Sequence, residues 1–195
     1  PHAFGQKVWF VEGEGPRLAP ISDLAAIAGT IDLERLAPVF DILRILRREL
    51  PAATTLLGFC GAPWTVAGYM LTGKGGRAKE DVRTLAYTRP DFVDGLIDRL
   101  VQGSVDYLVA QLHAGADAVQ IFESFAADVP PALFDRLTFN PLKRIIDGVR
   151  RQIPGAPVIV FARGASLANQ MRLARESGAN VVGIDWGVSV QDILP

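Results

Sequence analysis

The chain has 195 residues, 49% of them hydrophobic and 21% charged, with a formal net charge of −1. That composition supplies a globular core. The charge balance removes the electrostatic basis for binding nucleic acid or an anionic membrane, so any anionic ligand must be held by a few placed residues.

Lys7–Val11 reads as a short strand, followed by a loop rich in Gly and Glu at Glu12–Pro16. From Asp32 to Leu50 the residues Leu36, Val39, Phe40, Leu43 and Leu46 recur at helical spacing, with Asp32 as N-cap and Pro51 as the stop. Thr54–Phe59 reads as a buried strand, Trp64–Leu71 as a short helix and Lys79–Tyr87 as another. Asp91–His113 reads as one long helix, entered through Pro90 and closed by Gly115. Ala118–Phe122 is expected to be a strand, Pro141–Ile153 a helix capped by Asn140, and Pro157–Phe161 a strand. Ser166–Glu176 is expected to be a helix capped by Ser166 and ended by Gly178; Val181–Ile184 is a strand, and a last helix starts near Ser189.

Apolar strands separated by helices predict a parallel sheet inside one α/β domain over residues 1–195. About five strands are legible, against the eight of a TIM barrel. The pattern alone leaves two readings open, a small open sheet and an incomplete (β/α)₈ barrel. Residue 1 is Pro and the last helix stops at Pro195, so the sequence is expected to be an internal segment. One cysteine, Cys60, cannot form an intrachain disulfide. No run reaches the roughly 20 apolar residues of a membrane span. The start, PHAFGQKVWF, lacks the basic-then-apolar pattern of a signal peptide. A cytoplasmic location is therefore expected.

In parallel α/β folds chemistry lies beyond the carboxyl ends of the strands. There each strand delivers an aromatic beside a polar group: Phe59 and Trp64, then Phe122 with Glu123 and Ser124, then Phe161 with Arg163, then Asp185 with Trp186. Such a rim suits a large flat ligand, and equally suits plain capping of the core. Tyr69, on a short helix after a strand end, is either a phenol donor to a substrate anion or a packing residue. Ser124 is either a carboxylate ligand or a turn cap. Asp185 and Glu123 are each an acid, a base or an arginine partner, and Arg163 is that partner or a hand for a substrate carboxylate.

Cys60 has no base nearby in the sequence, the only histidines being His2 and His113, so a buried inert thiol is the better reading. Gly68–Gly75, GYMLTGKG, matches the phosphate loop only superficially: Gly75 replaces the magnesium-binding hydroxyl, and the segment leaves a helix. No Gly-rich dinucleotide fingerprint follows a strand. Two histidines and one cysteine are too few and too scattered for a typical zinc site; a magnesium site from carboxylates is left open.

Gly58-Phe59-Cys60-Gly61-Ala62-Pro63-Trp64-Thr65-Val66-Ala67-Gly68-Tyr69-Met70 resembles a signature segment of uroporphyrinogen decarboxylases. Val119–Ser124, Val158–Ala162 and Val182–Trp186 resemble the same family in the same order, as does the early loop Glu12–Pro16. Thr72 stands where the family often has Glu or Ala, and Ala127 where Gly is common. The family's arginine-rich amino-terminal motif, its pocket aspartate and its carboxyl-terminal histidine loop have no counterpart here.

The resemblance implies an incomplete TIM barrel, a cytoplasmic homodimer and no cofactor. The implied reaction removes four acetate carboxyls from uroporphyrinogen III to give coproporphyrinogen III and carbon dioxide. By position, Tyr69 would hydrogen-bond the substrate or the family's aspartate, Ser124 would bind a substrate carboxylate, and Phe59 and Phe122 would pack on the macrocycle. Without the family's other groups, the 195-residue segment is expected to be inactive alone. Two alternatives are a zinc-dependent corrinoid/thiol methyltransferase of similar fold and a non-catalytic tetrapyrrole-binding protein.

Overall fold

The computed structural model describes residues 1–13, 15–73 and 79–193. Two strands, β1 (Val8–Val11) and β2 (Gly15–Leu18), form an antiparallel hairpin near the amino terminus. After α1 (Ala37–Glu49) come β3 (Leu57–Gly61), α2 (Pro63–Thr72), α3 (Lys79–Thr88), α4 (Pro90–His113) and β4 (Ala118–Glu123). Then α5 (Asn140–Gln152), β5 (Val158–Ala162), α6 (Leu167–Glu176), β6 (Val181–Gly183) and α7 (Val190–Ile193) complete the order.

The hairpin corrects one expectation. Of the five strands read from the sequence, the first does not join the parallel sheet. It pairs Val8 with Leu18 and Val11 with Gly15, so the end of the stretch read as a loop, Gly15 and Pro16, joins Arg17 and Leu18 in a sixth strand. Part of that loop, Glu14, lies outside the described residues, as does the end of the rejected phosphate-loop match from Lys74 onward. Its described part does leave a helix: α2 ends at Gly73, whose φ of 77° is the left-handed cap.

The four other strands form one parallel sheet in the order β3-β4-β5-β6. Sequential order decides between the two architectures. A doubly wound sheet reverses its strand order, whereas right-handed crossovers between successive neighbours put every helix on one face. The burial follows: Gly58, Cys60, Val119, Ile121, Glu123, Val158, Val160 and Ala162 are buried on the helix side. Their neighbours Phe59, Gln120, Phe122, Ile159 and Phe161 point the other way and are half-buried or exposed. In a (β/α)₈ barrel that second face is the interior, and the chain is an incomplete barrel of this kind.

Local chemistry fixes the pieces. Asp32 accepts from the Glu34 N–H at 3.0 Å and starts the 3-10 turn Leu33–Leu36 that feeds α1. Asp117 accepts from the Leu56 N–H at 2.7 Å and from Arg47 at 2.9 Å, which ties α1 and the start of β3 to the strand after α4. β3 begins later than expected because Thr54 is held in a turn, its N–H on the Pro51 carbonyl. Asn140 is not a cap: its φ and ψ of −64° and −43° are helical, because α5 runs on directly from a π-helical turn at Asp135–Phe139. Helices α4 and α5 approach closely at Gly148, where a Cβ would lie 2.6 Å from Val105 Cγ2.

One side chain takes over work of the backbone. Leu56 and Ala62 bond on the β4 side, so by alternation Phe59 turns its N–H and C=O to the other edge. There Gln111 of α4 accepts the N–H at 2.9 Å and donates to the C=O at 3.0 Å. Gly58 makes room, since a Cβ there would meet Gln111 Oε1 at 2.8 Å. A buried amide thus satisfies an edge that would otherwise be left open. No helix among the described residues is long and apolar enough to cross a membrane.

Candidate active site

Register on the half-open face puts the aromatics in a row. Phe122 pairs with Phe161 across β4 and β5, and Phe59 lies two residues before Gly61, the partner of Phe122. Phe59 and Phe122 meet edge-on with centroids 5.9 Å apart, and Phe122 and Phe161 at 6.3 Å. Phe59 remains 60% exposed, a large apolar surface pointing away from the helices. Trp186, expected in the same rim, is fully exposed and makes no ring contact among the described residues.

Tyr69 is positioned from the start of its helix. Ala62, the residue before α2, offers no side-chain cap. One orphan donor of that first turn, the Thr65 N–H, is met by Glu123 from the end of β4. Its carboxylate accepts the Thr65 hydroxyl at 2.5 Å, the Thr65 N–H at 3.3 Å and the Phe125 N–H at 3.0 Å. The Thr65 hydroxyl oxygen in turn accepts the Ser124 N–H at 2.8 Å. One turn after Thr65, Tyr69 stacks on Phe125, centroids 5.6 Å apart and planes at 19°. Gly68 admits that ring: a Cβ there would lie 3.1 Å from Phe125 Cδ2.

Tyr69 and Ser124 therefore flank one node, Glu123–Thr65, at the carboxyl end of β4. Tyr69, Thr65, Gly61 and Val66 also line a cleft of ≈ 330 Å³ closed by His2 and Leu18. A neighbouring cleft of ≈ 280 Å³ shares Gly61 and Val66 and includes Phe59.

Glu123 is fully buried, and it faces the helices rather than the ring row. Burial pushes its carboxyl up to about 7 from 4.5, while the bonds from Thr65 and Phe125 pull it back. Of the roles left open for it, partnership with an arginine is not the one adopted: its partners are a threonine and two amides. Cys60 is buried too, on the same side. Desolvation pushes its thiol up to about 12 despite a hydrogen bond with Ser104, which suits an inert thiol.

The layer above Phe122 and Phe161 is polar. Ser124 is half-buried, and its carbonyl accepts Arg163 Nε–H at 3.1 Å. Asp185 accepts the Gly164 N–H. Sequence reasoning singled out Tyr69, Ser124, Phe59 and Phe122, and missed Thr65 and Phe125. Thr65 carried a signal, a hydroxyl at the third position of a helix beginning Pro63-Trp64; its partner, 58 residues on, did not show.

The family model described as Uroporphyrinogen decarboxylase (URO-D) matches residues 1–194. Curated uroporphyrinogen decarboxylases of Sinorhizobium fredii and Agrobacterium fabrum are 47% and 44% identical over 191 residues, each alignment covering 96% of this chain and 55% of the relative. The chain thus spans about half the length of the curated relatives it matches. Among solved structures, a methyltransferase from Methanosarcina mazei aligns with a TM-score of 0.79 at 17% identity, covering 98% of this chain and 58% of that one. At that identity the likeness speaks for the fold alone. The match along residues 1–194 and the identity to these relatives make the chain a member of the uroporphyrinogen decarboxylase family.

Proposed function

We propose that the full-length gene product removes the four acetate carboxyls of uroporphyrinogen III, giving coproporphyrinogen III and carbon dioxide without a cofactor. Phe59 and Phe122 pack on the macrocycle, Tyr69 donates to the substrate, and Ser124 binds one of its carboxylates. The protein works as a cytoplasmic homodimer, with residues 1–195 as part of one barrel domain, and the 195-residue segment alone is inactive.

The chemistry is within reach of a protein without a prosthetic group. Loss of carbon dioxide from an acetate arm leaves an electron pair that needs a sink. A pyrrole protonated beside that arm accepts the pair into its own ring as carbon dioxide leaves; protonation of the resulting methylene carbon forms the methyl group, and loss of the ring proton restores the neutral pyrrole. The protein must supply the proton, stabilise the ring cation and hold the other carboxylates. An apolar wall with a few donors at its rim suits a flat polyacid of this kind. The observation that carries the reading is the ring row Phe59–Phe122–Phe161 on the half-open face, with Tyr69 and Ser124 flanking a shared node beside it, in a member of this family.

The test is anaerobic assay of the full-length product with uroporphyrinogen III, following carbon dioxide and coproporphyrinogen. Tyr69→Phe is expected to lower kcat/KM by about 10²-fold and Ser124→Ala by about 10-fold. Binding of the porphyrinogen without carbon dioxide release would favour a tetrapyrrole-binding protein instead. Stoichiometric zinc with methyl transfer from a corrinoid to a thiol would favour the methyltransferase reading.

A further inference from the structure

Resting on that decarboxylase reading, we propose that Arg163 is the anchor for a propionate arm of the tetrapyrrole, beside Ser124 and above Phe161. The strand register puts it there. Phe122, Phe161 and Gly183 are in line across β4, β5 and β6. The next residues on the same face are Ser124, Arg163 and Asp185. The ladder reaches that far, since the Arg163 N–H donates to the Glu123 carbonyl at 2.9 Å.

The backbone that presents Arg163 is pinned on both sides. Its carbonyl accepts the Ala127 N–H at 3.1 Å, and the Gly164 N–H is held by the Asp185 carboxylate. Gly164 sits at φ +71°, and a Cβ there would lie 2.6 Å from that of Ala127, so this turn needs glycine. The guanidinium spends Nε–H on the Ser124 carbonyl. Neither terminal nitrogen has a hydrogen bond or ion pair among the described residues. Arg136, Arg144 and Arg172 differ, each being held by an aspartate. Asp185, a carboxylate of the same layer, is turned to Gly164 instead. What remains is a fork of N–H donors fixed at its base and exposed at its tip, the geometry that takes a carboxylate through two parallel bonds. With a chain charge of −1, such a placed cation is what a polyacid needs.

The choice of arm follows from charge. Decarboxylation turns a carboxylate into neutral carbon dioxide, so a cation on the departing group stabilises the ground state over the transition state and slows the step. An arginine that helps turnover therefore holds an arm that stays, and those are the propionates.

Coproporphyrinogen III tests this, because propionates are its only carboxylates. Anaerobic equilibrium dialysis of the full-length product would compare wild type, R163Q and R163K. R163Q is expected to bind coproporphyrinogen about tenfold or more weakly, with R163K recovering part of the loss. With uroporphyrinogen, R163Q should raise KM and change kcat by less than about threefold, as for an anchor used equally in ground and transition states. Unchanged coproporphyrinogen binding in R163Q overturns the anchor, as does a collapse of kcat with KM intact. A wild type whose binding depends on Arg163 but which releases no carbon dioxide sinks the decarboxylase reading alone. A wild type that binds no coproporphyrinogen overturns the anchor, and carbon dioxide release from uroporphyrinogen decides the decarboxylase reading separately.

Discussion

Glu123 makes stability depend on pH in a direction opposite to that of most carboxylates. Its carboxyl is fully buried and pushed up to about 7 from 4.5. Between those values the folded chain keeps the proton and the unfolded chain has lost it. Stability then falls as pH rises, because the folded state binds more protons. The contribution is fully present below pH 4.5, is lost as pH rises through about 7, and is flat above. A shift of that size corresponds to about 3 kcal/mol. Glu123→Gln removes the titration while keeping the shape. The difference in unfolding free energy, wild type minus variant, should therefore drop by about 3 kcal/mol across the window. Urea unfolding of the full-length product at closely spaced pH values, followed through buried Trp64, measures it. A difference that stays level with pH, or that climbs with it, would refute the account of Glu123 as a buried carboxyl held at the start of α2. Glu123→Ala goes further, leaving the Thr65 and Phe125 N–H groups without their acceptor. It should cost about 1–3 kcal/mol per orphaned group and loosen the Tyr69–Phe125 stack.

Two other outcomes follow from packing. Cys60, with its thiol pushed up to about 12, should be unreactive toward a thiol reagent near neutral pH and react fully once the protein is unfolded; rapid labelling of folded protein would contradict its burial. Gly148→Ala puts a methyl 2.6 Å from Val105 Cγ2 at the crossing of α4 and α5. It should lower the unfolding free energy by about 1–3 kcal/mol, and an unchanged urea midpoint would show that the helices part without strain.

The elements that could be read from the sequence were those whose signal is local. Pro90 and Gly115 bracket α4, Ser166 caps α6 through the Asn169 N–H, and Asp32 caps the turn into α1, all within a few residues. Where a boundary depended on a distant partner, the reading slipped. β3 begins after a turn that Thr54 helps to close, and the N–H of Leu56, the residue just before it, is taken by Asp117, 61 residues on. Asn140 looks like a cap, yet the π-helical turn before it carries the chain into α5 with helical dihedrals already set.

The site divides in the same way. The aromatic at each strand end, the phenol on α2 and the hydroxyl after β4 stand in the sequence because strands and helices repeat with fixed periods. Composition and pattern by themselves determined an α/β chain with buried parallel strands and candidate polar and aromatic residues at their carboxyl ends. Tertiary structure alone decided that the strands run in sequential order with their helices on one face, which makes the other face a barrel interior. It also buried Glu123 against the helices while leaving Ser124 half-buried and Arg163 exposed, though 123 and 124 are adjacent. The physical reason is the two-residue period of a strand: neighbouring side chains part to opposite faces, and only the packing of the sheet says which face is which.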